Sequence, residues 1–163
     1  MNCGGGLVLM GVWRAEGCPD RGREPERKEE EDAAEWVRSN LGFDPDPKQA
    51  LVLTSASKRG ILNCARQWGK STITAAKAVY EAVQTKERLI LVVSPSARQS
   101  GEFVRKAAGF ARRLGMRTKG DGTNEMSLAF PNGSRIVGLP GSEETIRGFS
   151  AVTLLLVDEA SRV

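Results

Sequence analysis

The sequence predicts an α/β domain: a mainly parallel sheet with helices on both faces. Three observations predict it. ILNCA (61–65), RLILVVS (88–94) and VTLLLVDEAS (152–161) are apolar runs of strand length, and strands apolar throughout belong to parallel sheets covered on both sides. Segments of helical period separate them. Cys64, Ser94 and Asp158 each close a run, and ligands on such sheets gather at strand carboxyl ends.

Taken in order, MNCGGGLVLMGVW has a short apolar centre without a basic residue before it, a poor signal peptide. Residues 14–32 combine charge with Gly and Pro and have little to bury, which predicts a disordered or loosely helical arm. A short helix is expected at 33–40. The two prolines of LGFDPDP break it, because proline restricts the residue before it. KQALVLTSA (48–56) then reads as a helix and ILNCA as a buried strand. After Gly69 a helix is expected with Ile73, Ala76, Tyr80 and Val83 on one face, and after RLILVVS a second with Phe103, Ala107, Phe110 and Leu114. SLAF-PNG-SRIVGL reads as a hairpin, Asn132-Gly133 suiting a tight turn with positive φ at both residues. VTLLLVDEAS is a last buried strand ending on two acids.

Composition narrows the chemistry. At 163 residues, 40% hydrophobic and 27% charged, the chain suits one soluble domain or a piece of a larger one. The absence of histidine removes Ser-His and Cys-His catalysis and every His-metal site. Three cysteines form no CxxC pair, and the six aspartates are scattered, which argues against a zinc site or a two-metal carboxylate cluster. No apolar run approaches the roughly 20 residues that span a membrane, so a cytoplasmic location is expected. Residues 1–40 carry a net charge of −3 (6 Lys/Arg against 9 Asp/Glu). The remainder carries +7 (18 against 11), compatible with a polyanionic partner.

Two motifs concentrate chemistry at strand ends. CARQWGKS (64–71) meets the phosphate-loop pattern G-x-x-x-x-G-K-[ST] except at Cys64, which replaces the first glycine. Backbone amides around Gly69 would cradle phosphates, Lys70 would reach the β- and γ-phosphates, and the Ser71 hydroxyl would bind Mg²⁺. LLLVDEA (154–160) brings Asp158 and Glu159 to the same sheet edge, the first to hold Mg²⁺ through water and the second to orient and deprotonate an attacking water.

With these residues in view, ILNCARQWGKST resembles the ATPase motor of the large terminase subunit, which packages DNA into tailed-phage heads. In that family the first loop glycine is often replaced and an R-Q pair precedes x-G-K-[ST]. FDPDPKQ, SPSARQSGEFVRK, NGSRIVGLPGSEETIRGFS and VDEASRV resemble further family segments in the family's order, so the similarity spans roughly residues 41–163. The resemblance implies a P-loop NTPase fold of RecA-like (ASCE) type behind an acidic arm at 1–40. It implies a nucleotide lined by Cys64, Ala65, Arg66, Gln67, Trp68, Gly69, Lys70, Ser71 and Thr72, with Gln49 reading adenine. Arg66 would be an arginine finger in cis, and ATP and Mg²⁺ the cofactors. Implied partners are double-stranded DNA, a portal protein, a small terminase subunit and further copies in a ring, with no membrane, in the host cytoplasm at the procapsid portal.

Blander roles stand beside these. Gln49 would serve as a helix cap. Arg98 and Arg147 divide between DNA or coupling contacts and plain surface charge. Trp68 and Phe149 suit packing, and Arg112, Arg113, Arg117 and Lys119 a solvated helix end. The chain ends at Val163, four residues after Glu159. The resemblance therefore implies a domain incomplete at its carboxyl end, without a nuclease domain and without the strand that in this fold lies between the loop strand and the acid strand. A helicase-type DNA translocase and a non-catalytic prophage remnant are the alternatives; the R-Q pair favours terminase.

Overall fold

Leu89–Ser94 is buried at all six positions, and the sheet is organised around it. The computed structural model describes residues 7–11, 32–57, 59–65, 67–120, 122, 126–141 and 148–162. Its elements are β1 (Leu7–Gly11), α1 (Ala33–Leu41), α2 (Pro47–Thr54), β2 (Arg59–Asn63), α3 (Lys70–Gln84), β3 (Leu89–Ser94), α4 (Ala97–Arg113), β4 (Ser127–Ala129), β5 (Arg135–Pro140) and β6 (Leu154–Val157), closed by a 3-10 turn at Ala160–Arg162. The arm expected at 14–32 lies, except for Asp32, outside the described residues.

The helices form where local signals place them. Asp32 accepts from the Ala34 amide to start α1, and Gly42, at φ 58, ends it in the left-handed conformation glycine tolerates. Asp46 and Gln49 form a reciprocal capping box at the start of α2, with Pro47 in the first turn. The Ser96 side chain caps α4. The expected apolar faces are buried: Ile73 and Ala76 on α3, Phe103, Ala107 and Phe110 on α4, with Tyr80, Val83 and Leu114 packed at the margin.

The six strands run in the order β2-β1-β6-β3-β5-β4. β3 is parallel to β5 and β6, whereas β1 is antiparallel to both β2 and β6 and β4 is antiparallel to β5. The protein is thus α/β with a mixed sheet, and four expectations need correction. First, the apolar LVLMG of the N-terminal stretch, read as part of an arm, is a strand. It pairs with β2 from Leu7↔Asn63 to Gly11↔Arg59 and with β6 from Leu9↔Val157 to Gly11↔Leu155. The slot between the loop strand and the acid strand is therefore occupied, by a segment from the other end of the sequence.

Second, β2 is not a buried strand. It lies at the sheet edge, every second residue is exposed, and Ile61 is 61% exposed. Third, among the described residues the helices cover one face only. Ile90, Val92, Ile136, Leu154 and Leu156 share a core with residues of all four helices. The opposite face, Leu89, Leu91, Val137 and Leu139, packs against Phe149, Val152 and Leu155. A continuous apolar run signals burial on both faces but not what does the burying. Fourth, in the β4–β5 hairpin only Gly133 has positive φ, at 84. The Gly133 amide bonds Phe130 O at 3.1 Å with Pro131 and Asn132 between them, and Asn132 donates its side-chain amide to Ala82 O at 2.7 Å, near the end of α3.

Candidate functional site

The end of β2 delivers Cys64 to the carboxyl edge of the sheet, and the chain then turns through residues 64–69 into α3. Two bends make the turn: Gln67 at φ 64, unusual for a residue with a Cβ, and Gly69 at φ 91. A Cβ at Gly69 would meet Gln49 Nε2 at 3.2 Å, so the glycine is needed for conformation and for space. No side chain caps α3 at Gly69. The Thr72 and Ile73 amides close on Gly69 O, and the Lys70 and Ser71 amides ahead of them lie at the end where the helix dipole favours an anion.

Lys70, the first residue of α3, bends its ammonium back to Cys64 O at 3.4 Å, closing the loop on itself. Ser71 and Thr72 are half-buried in the same turn, the Thr72 amide bonding Gly69 O at 2.9 Å. Ala65 and Gln67 are exposed, and Cys64 is a half-buried free thiol. Trp68 packs against the main core and Phe149 in the second cluster, the packing roles expected for both. Arg66 and Arg147 lie outside the described residues.

Gln49 is 8% exposed, and both ends of its amide are engaged. Oε1 accepts from the Asp46 amide at 3.0 Å, and Nε2 donates to Trp68 O at 2.9 Å. It is a cap, as the blander reading had it, and also a strut from α2 to the loop at residues 64–69. The far end of α2 is held as well: buried Lys77 of α3 donates to Val52 O at 3.2 Å, Leu53 O at 2.9 Å and Ser55 O at 3.4 Å. Lys77 escaped the sequence reading although its position, four residues after Ile73, placed a charge on a buried helix face.

The acids follow β6. The Asp158 amide continues the ladder by donating to Val93 O at 2.8 Å. Its carboxyl is half-buried, and burial, then the adjacent Glu159 charge, holds it above the ordinary carboxylate range, while Lys70 and Lys106 act to lower it. Lys70 and Asp158, far apart in sequence, are thus brought within electrostatic reach across the sheet edge; Lys106 on α4 joins them unforeseen. Glu159 has φ 52, a strained conformation for a residue with a side chain, and its carboxylate lies 3.9 Å from Arg162 Nη1.

Magnesium fits this donor set. Oxygen donors suit that cation, and it is commonly held by one or two carboxylates together with substrate phosphates. Among the described residues no group of three or more His, Cys, Asp or Glu could hold a metal alone, so Asp158 and Ser71 would share it with a ligand. Ser94, at the same edge, is fully buried with a hydroxyl that has no partner among the described residues. Arg113, expected to be a solvated helix end, instead donates to Leu41 O at 2.6 Å beside the end of α1, and Arg98 is exposed in the first turn of α4. Among the described residues no helix is long and apolar enough to cross a membrane.

No curated protein matches the chain by sequence. The family model for the terminase large subunit, T4likevirus-type, N-terminal, matches residues 61–163, a span that includes the loop before α3 and both acids after β6. That is well over half of the chain, and the protein belongs to the terminase large subunit family, through its N-terminal domain.

Proposed function

We propose that the chain is the ATP-hydrolysing part of a packaging motor, a P-loop NTPase that moves double-stranded viral DNA. The observation that carries this reading is the convergence of Lys70 and Asp158 at one sheet edge, beside a helix start left uncapped. The first-turn amides of α3 receive the phosphates, and Lys70 exchanges Cys64 O for the β- and γ-phosphate oxygens. Ser71 and Asp158 would hold Mg²⁺, which would supply positive charge to offset that of the phosphate oxygens. Glu159 leaves its long contact with Arg162 and takes a proton from the attacking water as the bond to the β-phosphate oxygen breaks. Arg66, entering the loop in cis, meets the charge that develops on the transferred group. Gln49 reaches adenine only with the amide valences its two internal bonds leave over.

Family membership supports a role in phage DNA packaging. The partners on this reading are double-stranded DNA, a portal protein, a small terminase subunit and further copies of the chain in a ring. The test is nucleotide titration of the purified chain together with ATP hydrolysis with and without duplex DNA. Lys70→Ala should lower both affinity and turnover, and Glu159→Gln should bind ATP without hydrolysing it. Unchanged affinity in Lys70→Ala would remove the phosphate-loop assignment.

A further inference from the structure

Among the described residues Ser94 is a serine with complete burial and no hydrogen-bond partner for its hydroxyl. That is not how this chain treats its other fully buried serines. Ser100 Oγ donates to Leu139 O at 2.6 Å and Ser134 Oγ to Thr85 O at 2.9 Å. A buried hydroxyl without a partner lowers stability, so one that is kept calls for a reason beyond packing.

Its place in the sheet supplies one. Val93 pairs with Val157, and the Asp158 amide extends that ladder to Val93 O. Continuing the register sets Ser94 opposite Asp158. The Ser94 carbonyl is engaged, accepting from the Gly141 amide at 2.8 Å, and the hydroxyl is left over. Alternation along β3 puts Ser94 on the face of Ile90 and Val92, the face that carries α3 and therefore Lys70. Neighbouring strands are spaced by about 4.8 Å, a gap that one water can bridge between short side chains.

We propose that Ser94 is a positioning residue of the acid site: its hydroxyl bonds a water of the magnesium shell beside Asp158 when metal and nucleotide are present. This rests on the ATPase reading above and adds to it a residue outside both sequence motifs. Outer partners of metal ligands of this kind typically change metal affinity by 10–100-fold.

The experiment uses the purified chain, ADP, and Mn²⁺ as a paramagnetic substitute for magnesium. Ser94→Ala should bind ADP without metal as the parent does and should melt, without ligand, at or above the parent's temperature. Its Mn²⁺ affinity in the presence of ADP should fall about 10-fold. An unchanged Mn²⁺ affinity would overturn the proposal while leaving the ATPase reading standing. A ligand-free melting temperature several degrees lower would also overturn it, because the hydroxyl would then have a structural partner. If the parent binds no Mn²⁺ in the presence of ADP, the ATPase reading fails and takes the role of Ser94 with it.

Discussion

On one side of β6 lies β3, buried at all six positions and packed under α3 and α4; on the other lie β1 and the edge strand β2, which exposes every second residue. The acids Asp158 and Glu159 therefore stand on a strand fixed by core packing. The loop at residues 64–69 follows the edge strand β2, whose neighbour in the sheet is β1. Beside the packing of Trp68 against the core, polar contacts hold the loop, Gln49 to Trp68 O and Lys70 to Cys64 O, while Lys77 holds the end of α2 that carries Gln49. The difference teaches that substitutions on the β3 side act on folding, whereas those on the loop side can displace the loop within a folded domain.

The largest expected effect breaks the packed side. Ile90 is fully buried, and Ile90→Ala should cost about 3–4 kcal/mol by removing apolar contacts and leaving a cavity. Chemical denaturation measures it, and a loss below about 1 kcal/mol would mean that this face repacks freely.

Next comes Lys77, which donates to three carbonyls at the end of α2. Lys77→Met keeps the packing stem but leaves the carbonyls of Val52, Leu53 and Ser55 without their donor, at a cost of about 1–3 kcal/mol. The pH dependence sharpens the test. Burial holds the Lys77 ammonium below its ordinary value of 10.5. Between that lowered value and 10.5 the unfolded chain binds the extra proton, so stability rises with pH across this window. Lys77→Met should remove that part of the rise, and parent and variant melting curves that stay parallel through the alkaline range would contradict the assignment.

A smaller effect separates loop position from folding. Gln49→Ala removes bonds to Asp46 and Trp68 and should cost about 1–2 kcal/mol. Gln49→Glu keeps an acceptor for the Asp46 amide but sets an oxygen against Trp68 O. With a buried carboxylate oxygen facing that carbonyl, its stability should fall at least as far as that of Gln49→Ala, and nucleotide affinity should fall with the loss of the strut. Parental affinity in Gln49→Glu would show that this bond does not position the loop.

The smallest effect is the counterpart of the first. Ile61 is the same residue type in the same sheet, but 61% exposed on β2. Ile61→Ala should change stability by no more than about 0.5 kcal/mol. A loss comparable to that of Ile90→Ala would erase the contrast between the two sides.

Much of this architecture was legible in the residues. Asp32, Asp46, Pro47, Gly42 and Ser96 announce helix ends because capping is local chemistry, satisfied within a few residues. The spacing of Ile73 and Ala76, and of Phe103, Ala107 and Phe110, marks buried faces because the helical period converts sequence spacing into direction. CARQWGKST and LLLVDEA could be read as two halves of one site, since each motif carries its own donors or carboxylates. What no local pattern contains is pairing at a distance. That Leu7–Gly11 fills the slot between β2 and β6, that β2 becomes an edge, and that all four helices take one face were decided by which strands meet. So were the bond from Gln49 to Trp68, the reach of Lys70 and Lys106 to Asp158, and the unpaired hydroxyl of Ser94 opposite that acid. Hydrogen bonds and Coulomb forces act over a few ångströms in space, whatever the distance along the chain, so only the folded sheet determines which groups they join.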